Sequence, residues 1–137
     1  MIIVPIISLY NPQDQTILLS IRPTGKQLAG YYEFPGGKTE AGELPSAALC
    51  REMFEELGIL VSESDLTPVT FTNFYYQDKG YLLLMYFCTT YQNEPYGKEG
   101  QVIEWVSCDR LRDYKMPEFN TYLIPELERF IKQVDRL

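Results

Sequence analysis

The stretch GKTEAGELPSAALCREMFEELGI, from Gly37 to Ile59, decides the fold of this chain. Its second half consists of good helix formers, with Pro45 suited to a first turn and Gly58 to a left-handed stop, so one helix is expected over 45–57. On a wheel of about 100° per residue, Ala47, Cys50, Met53, Phe54 and Leu57 fall on roughly one third of the circumference, a stripe expected to face the core. Glu52, Glu55 and Glu56, at i, i+3 and i+4, cluster almost opposite that stripe. Such a face is ordinarily solvated. Like charges at this spacing repel, however, and these lie toward the negative end of the helix dipole, so a nearby cation would reverse the sign of both terms. Oxygen-only ligands of this kind suit Mg²⁺ or Mn²⁺, which share the rest of their coordination with substrate phosphates. Just upstream, Glu33-Phe34-Pro35-Gly36-Gly37-Lys38 carries paired glycines that permit tight turns and close approach of main-chain groups.

Around this segment the chain reads as short strands punctuated by turns. Ile2 to Leu9, the turn Asn11-Pro12-Gln13-Asp14 and Thr16 to Ile21 form an expected hairpin. Leu66 to Tyr76 and Tyr81 to Tyr91, rich in aromatic and β-branched residues, form a second, joined by Gln77-Asp78-Lys79-Gly80. A long loop from Gln92 to Gly100 precedes a strand at Val102 to Val106. Leu123, Ile124, Leu127, Phe130, Ile131 and Val134 mark a terminal helix, with Pro125 in its first turn. Clustered strands with one helix between them and one at the end predict an α+β fold with a mixed sheet between helices.

Composition narrows the chemistry. A length of 137 residues is that of one domain, here 1–137, and a hydrophobic content of 45% is that of a packed globular chain. A net charge of −7 repels the backbone of an extended nucleic acid, which is therefore not expected as a partner. The chain has no histidine, which excludes Ser-His-Asp and Cys-His catalysis and leaves oxygen to hold any metal. Cys50, Cys88 and Cys108 fit neither a disulfide framework nor a CxxC motif, which points to a reducing cytosol, so a cytoplasmic protein is expected. The apolar run at Met1 to Ile7, interrupted by Pro5, reads as a strand rather than a signal peptide, and no membrane association is expected.

From Gly37 to Ile59 the sequence resembles the Nudix box, G-x5-E-x7-R-E-U-x-E-E-x-G-U, with U a bulky aliphatic residue. Gly37, Glu43, Arg51, Glu52, Glu55, Glu56, Gly58 and Ile59 match, and Met53 stands at the first U. The resemblance implies an α/β/α sandwich in which the box forms loop, helix, loop, and hydrolysis of a nucleoside diphosphate linked to another moiety. It implies Glu52, Glu55, Glu56 and the Gly36 carbonyl as metal ligands, and a Glu43–Arg51 pair tying the loop to the helix, with Glu43 also close to the metal. With no histidine, the base falls to a carboxylate or to metal-activated water. Lys38 is the nearest cation for the phosphates.

The flanks resemble the MutT-type 8-oxo-dGTP diphosphatases of that family. The similarity is carried by Arg22 with Leu28 to Gly37, by Glu94-Pro95-Tyr96-Gly97-Lys98-Glu99-Gly100-Gln101 followed by Glu104-Trp105, and by Met116-Pro117-Glu118-Phe119-Asn120. It implies Asn120 as the amide that reads the purine, the plain alternative being a helix N-cap. It places Arg22 beside the nucleotide with Glu33, Phe34, Pro35 and Gly36. Glu99 is implied as a further metal ligand or base, the alternative being a solvated loop acid. Gln27 and Lys79 stand where relatives carry histidine and arginine, and Leu44-Pro45 replaces a polar helix cap. The expected reaction converts 8-oxo-dGTP to monophosphate and pyrophosphate on a monomer or weak homodimer. The alternatives are another nucleoside diphosphate derivative (a normal dNTP, a dinucleoside polyphosphate or ADP-ribose) or a silent binding module, which would not need the full carboxylate set.

Overall fold

The computed structural model describes residues 1–136. Strand β1 (Ile2–Asn11) is almost unbroken in apolar side chains because both of its faces are covered. Ile6 and Tyr10 pack into one cluster and Ile7 and Leu9 into another on the opposite side of the sheet. Its main partner is the parallel strand β5 (Lys79–Cys88), from Ile2↔Tyr81 to Leu9↔Cys88. The expected hairpin with β2 (Thr16–Ile21) exists, but it pairs only Tyr10↔Ile17 and Asn11↔Thr16 before the strands part. From there β2 pairs along its length with β6 (Val102–Ser107), while β4 (Thr67–Tyr76) closes the other side of β5. Strand β5 begins two residues earlier than expected, because Gln77 and Asp78 both take positive φ (52° and 65°) and turn the chain in two residues.

The wedge between the parting strands positions the site. A two-residue strand that the sequence did not signal, β3 (Tyr32–Glu33), pairs with Ser20 and Ile21, and the chain then runs alongside β1. The Ile7 N–H donates to the Pro35 carbonyl at 2.8 Å and the Gly37 N–H to the Pro5 carbonyl at 3.2 Å. Gly36 lies so close that a Cβ there would stand 2.7 Å from Ile6 Cα and overlap the Pro5 oxygen. Close approach, rather than flexibility, is what glycine provides here.

Helix α1 (Pro45–Leu57) has the expected bounds and ends on Gly58 at φ 69°, whose N–H bonds to the Phe54 carbonyl while the Ile59 N–H reaches Met53. Its orientation differs from the expected stripe. Ala48, Leu49, Met53 and Leu57 are buried, Ala47 and Cys50 only partly so, and Phe54 is 47% exposed. Leu49, Met53 and Leu57 share one cluster with Ile7, Leu9 and Leu18 of the sheet, and this seating turns the docked face toward Leu49. Glu52 and Glu56 therefore sit at the margin of the buried face instead of opposite it. The other side of the sheet is covered by α2 (Glu118–Thr121) and α3 (Ile124–Asp135), with Ile124, Leu127 and Ile131 buried against Ile6, Met85 and Phe87. The layers are helix, mixed sheet, helices. No described helix is long and apolar enough to cross a membrane.

Candidate active site

The loop before α1 is held by Arg51. Its Nε and Nη2 each donate to Glu43 at 2.9 Å, Nη2 reaches the Lys38 carbonyl at 3.2 Å, and Nη1 lies 3.1 Å from Glu52 and 3.2 Å from Glu55. Bonding to Arg51, and then to the Glu40 N–H, holds the Glu43 carboxyl well below the usual carboxylate range, at about 2. This fork-to-carboxylate pair joins loop to helix where the N-cap residue, Leu44, offers no side-chain bond.

Past that clamp the acids crowd together. Burial pushes the Glu56 carboxyl up to about 8, and the neighbouring charges of Glu52 and Glu99 push it the same way, against a hydrogen bond from Gly36. The Gly36 backbone, expected to offer its carbonyl to a metal, thus borders Glu56 in the same cleft. Burial also raises Glu52, against the opposing pull of Arg51. Among the described residues no three carboxylates converge as a ready-made metal cluster, because Glu55 is half exposed and turned to Arg51. The donor set still suits a hard divalent cation. It is all oxygen, its acids repel, and a Cβ at Gly37 would strike the Glu52 carboxylate at 2.5 Å from Oε1, so only glycine leaves that carboxylate room. We expect Gly37→Ala to retain a near-normal melting curve but lose activity as Glu52 swings away, whereas Gly36→Ala, which meets backbone, should lower the melting temperature markedly. Paired melting and turnover measurements check this.

A cleft of about 550 Å³ opens from Glu56 and is lined by Arg22, Gln27, Glu33, Phe34, Pro35, Gly36, Lys38 and Asn120, all singled out in the sequence. Arg22 is already engaged, with Nη1 on Glu33 at 2.9 Å and Nε on the Gln27 carbonyl at 2.8 Å. The Gln27 side chain accepts from the Tyr76 hydroxyl at 2.7 Å, which ties the 22–31 loop to β4 across the cleft. Lys79 does not line it and lies exposed at the hairpin tip. Glu99 is exposed in its loop, and its charge is felt at both Glu52 and Glu56.

Asn120 is only 4% exposed and lies inside α2, with Pro117 and Leu123 at the N-cap positions of α2 and α3, so it caps neither helix. Among the described residues its side-chain amide has no hydrogen-bond partner, although it lines the cleft. The sequence reading missed the aromatic wall. Phe74 stacks on Phe119 with centroids 4.2 Å apart and planes within 3°, and on Tyr81 at 5.3 Å. Tyr76 and Lys26 also line the cleft and were missed. Alternation in β4, which sends Phe74 and Tyr76 to one face, was the available signal.

A loop–helix–loop brings glutamates to the mouth of an aromatic cleft on an α/β/α sandwich, and this is the arrangement of a class of small proteins built on one mixed sheet between helices. The NUDIX domain family matches residues 1–127. The 8-oxo-dGTP diphosphatase of Escherichia coli K12 is 33% identical over 128 residues, covering 90% of this chain and 94% of its own length. That of Haemophilus influenzae is 38% identical over 111 residues, covering 81% and 80%. A solved MutT structure from work on Aliivibrio salmonicida and Vibrio cholerae superposes at TM-score 0.79 and 31% identity, over 94% of this chain and 98% of its own. A shorter match, 43% over 56 residues and 41% of this chain, is to the CTP pyrophosphohydrolase of E. coli, spanning 42% of that protein. The chain belongs to the Nudix family and is a Nudix hydrolase.

Proposed function

We propose that the protein hydrolyses 8-oxo-dGTP to the monophosphate and pyrophosphate with Mg²⁺ or Mn²⁺, acting on free nucleotides in the cytoplasm as a monomer or weak homodimer. The observation that carries the reading is Asn120, a residue only 4% exposed whose side chain lines the same cleft as Glu56. Guanine presents two acceptors, O6 and N7, on one edge, and oxidation at C8 turns N7 into an N–H donor. A carboxamide offers one donor and one acceptor, so it satisfies the oxidised edge and leaves ordinary guanine with an unmatched acceptor. Phe74 and Phe119 supply the apolar wall for the ring, and a neutral reader avoids the cost of burying a charge.

Glu52, Glu56, Glu99 and the Gly36 carbonyl, with Glu55 released from Arg51, would hold the cation, which when bound neutralises the phosphates and acidifies the attacking water. A carboxylate, Glu56 or Glu99, takes the proton from that water. Arg51 keeps Glu43 and Glu52 in place, and Lys38 and Lys26 bring positive charge to the phosphate path. A panel of 8-oxo-dGTP, dGTP, CTP, a dinucleoside polyphosphate and ADP-ribose tests the reading by chromatographic detection of product release, because the last two yield nucleotides and a sugar phosphate rather than free pyrophosphate or phosphate. Fastest release from 8-oxo-dGTP, abolished by chelator and restored by Mg²⁺, is expected. Preference for another member of the panel, or undiminished turnover in excess chelator, would overturn it.

A further inference from the structure

The loop that carries Glu99 is built against the end of α1 through one side chain that the proposed function does not use. Gln101 Nε2 donates to the Glu56 carbonyl at 2.9 Å, and Gln101 Oε1 accepts from the Glu99 N–H at 3.0 Å. One carboxamide therefore spans the backbones of the two acids. The surroundings are folded to match. The Lys98 N–H shares the Glu56 carbonyl at 2.9 Å, and the Tyr96 N–H takes the Leu57 carbonyl at 3.1 Å. These are last-turn carbonyls that no residue of the helix can satisfy. The turn is tight, since a Cβ at Gly97 would overlap the Gln101 carbonyl oxygen, and Lys98 Nζ sits 4.0 Å from the centre of the exposed Phe54 ring. Glu99 itself is exposed and has no side-chain bond among the described residues, so its place relative to Glu56 depends on this backbone attachment.

We propose that Gln101 is a positioning residue that registers Glu99 against Glu56, its carboxamide bridging the Glu99 N–H and the Glu56 carbonyl. This rests on the reading of Glu99 as a participant in hydrolysis. A mobile loop acid serves as ligand or base only if held within a fraction of an ångström, and displacement by about 1 Å can lower turnover on the order of a hundredfold.

A double-mutant cycle on the full chain tests it. Gln101→Met keeps the volume and removes both hydrogen bonds, with Gln101→Leu as a second variant should the first not fold. In the wild-type background, Gln101→Met is expected to lower kcat on 8-oxo-dGTP with Mg²⁺ roughly ten- to a hundredfold, with KM little changed. In the Glu99→Gln background the same change is expected to do nothing further. Independently of activity, amide exchange at the Glu99 N–H should accelerate while that at Met53 in α1 stays unchanged. Equal losses in both backgrounds, unchanged kcat, or unchanged exchange at Glu99 would overturn the proposal. If Glu99→Gln alone turns over at the wild-type rate, the reading of Glu99 fails and the proposal falls with it. A slow Glu99→Gln beside a normal Gln101→Met defeats the proposal alone.

Discussion

Glu56→Gln is expected to lower kcat by a hundredfold or more while raising the melting temperature of the metal-free protein at pH 7–8. The two effects share one cause. Glu56 lies at the margin of the docked face of α1, where burial, Glu52 and Glu99 lift its carboxyl from an ordinary value near 4.5 to about 8. Between those values the folded protein keeps a proton that the unfolded chain has released, so stability falls as pH rises through that window. A glutamine has no charge to bury and escapes the penalty. One pKa unit corresponds to about 1.4 kcal/mol, so even half of the span is worth about 2 kcal/mol, roughly 5–10 °C for a domain of this size. The gain should vanish below pH 4.5, where both states are protonated. Saturating Mg²⁺ should reverse the order, stabilising the wild type and leaving the variant unmoved. The lost turnover, on the order of 3 kcal/mol of transition-state stabilisation, follows from replacing a charged oxygen ligand or base by an amide. Melting curves with and without Mg²⁺ across pH, beside kcat, check both halves. A variant less stable than wild type without metal at pH 8 would show that Glu56 is not the strained group.

Asn120→Ala is expected to collapse the preference for 8-oxo-dGTP over dGTP by roughly 10- to 100-fold, with the slow hydrolysis of dGTP nearly unchanged. A lost hydrogen-bonding pair in a closed pocket typically costs about 1–3 kcal/mol and leaves the polar edge of the base unsatisfied. The helix-cap alternative predicts instead a loss of about 1 kcal/mol in stability with the substrate ratio intact. Asn120 occupies neither N-cap position, so thermal stability should change little. Measuring kcat/KM for both nucleotides beside a melting curve separates the two.

The bounds of α1 were legible because Pro45 and Gly58 each have one comfortable place in a helix. Its orientation was not. Ala47, Ala48, Leu49, Cys50, Met53, Phe54 and Leu57 spread around most of the wheel, and only the sheet surface of Ile7, Leu9 and Leu18 chooses which of them to bury. For the same reason, the spacing of Glu52, Glu55 and Glu56 showed that they cluster but not that two of them are half sequestered. The course of Pro35 to Gly37 between β1 and β2 was hidden because it depends on strands parting after two pairs, which leaves that edge of β1 open to the Pro35 carbonyl and the Gly37 N–H. The stack of Phe74 on Phe119 joins an edge strand to a four-residue helix far along the chain, and local periodicity does not report such contacts. The Arg51–Glu43 fork, by contrast, was legible through the resemblance to the Nudix box, which pairs these two positions although Glu43 lies outside α1.

The most direct measurement is product analysis of 8-oxo-dGTP hydrolysis in ¹⁸O-labelled water with Mg²⁺, resolved by mass spectrometry at early times. The account predicts 8-oxo-dGMP and pyrophosphate as the first products, with a single labelled oxygen between them. Orthophosphate with 8-oxo-dGDP as first products, or no turnover of this nucleotide while dGTP is consumed, would contradict it.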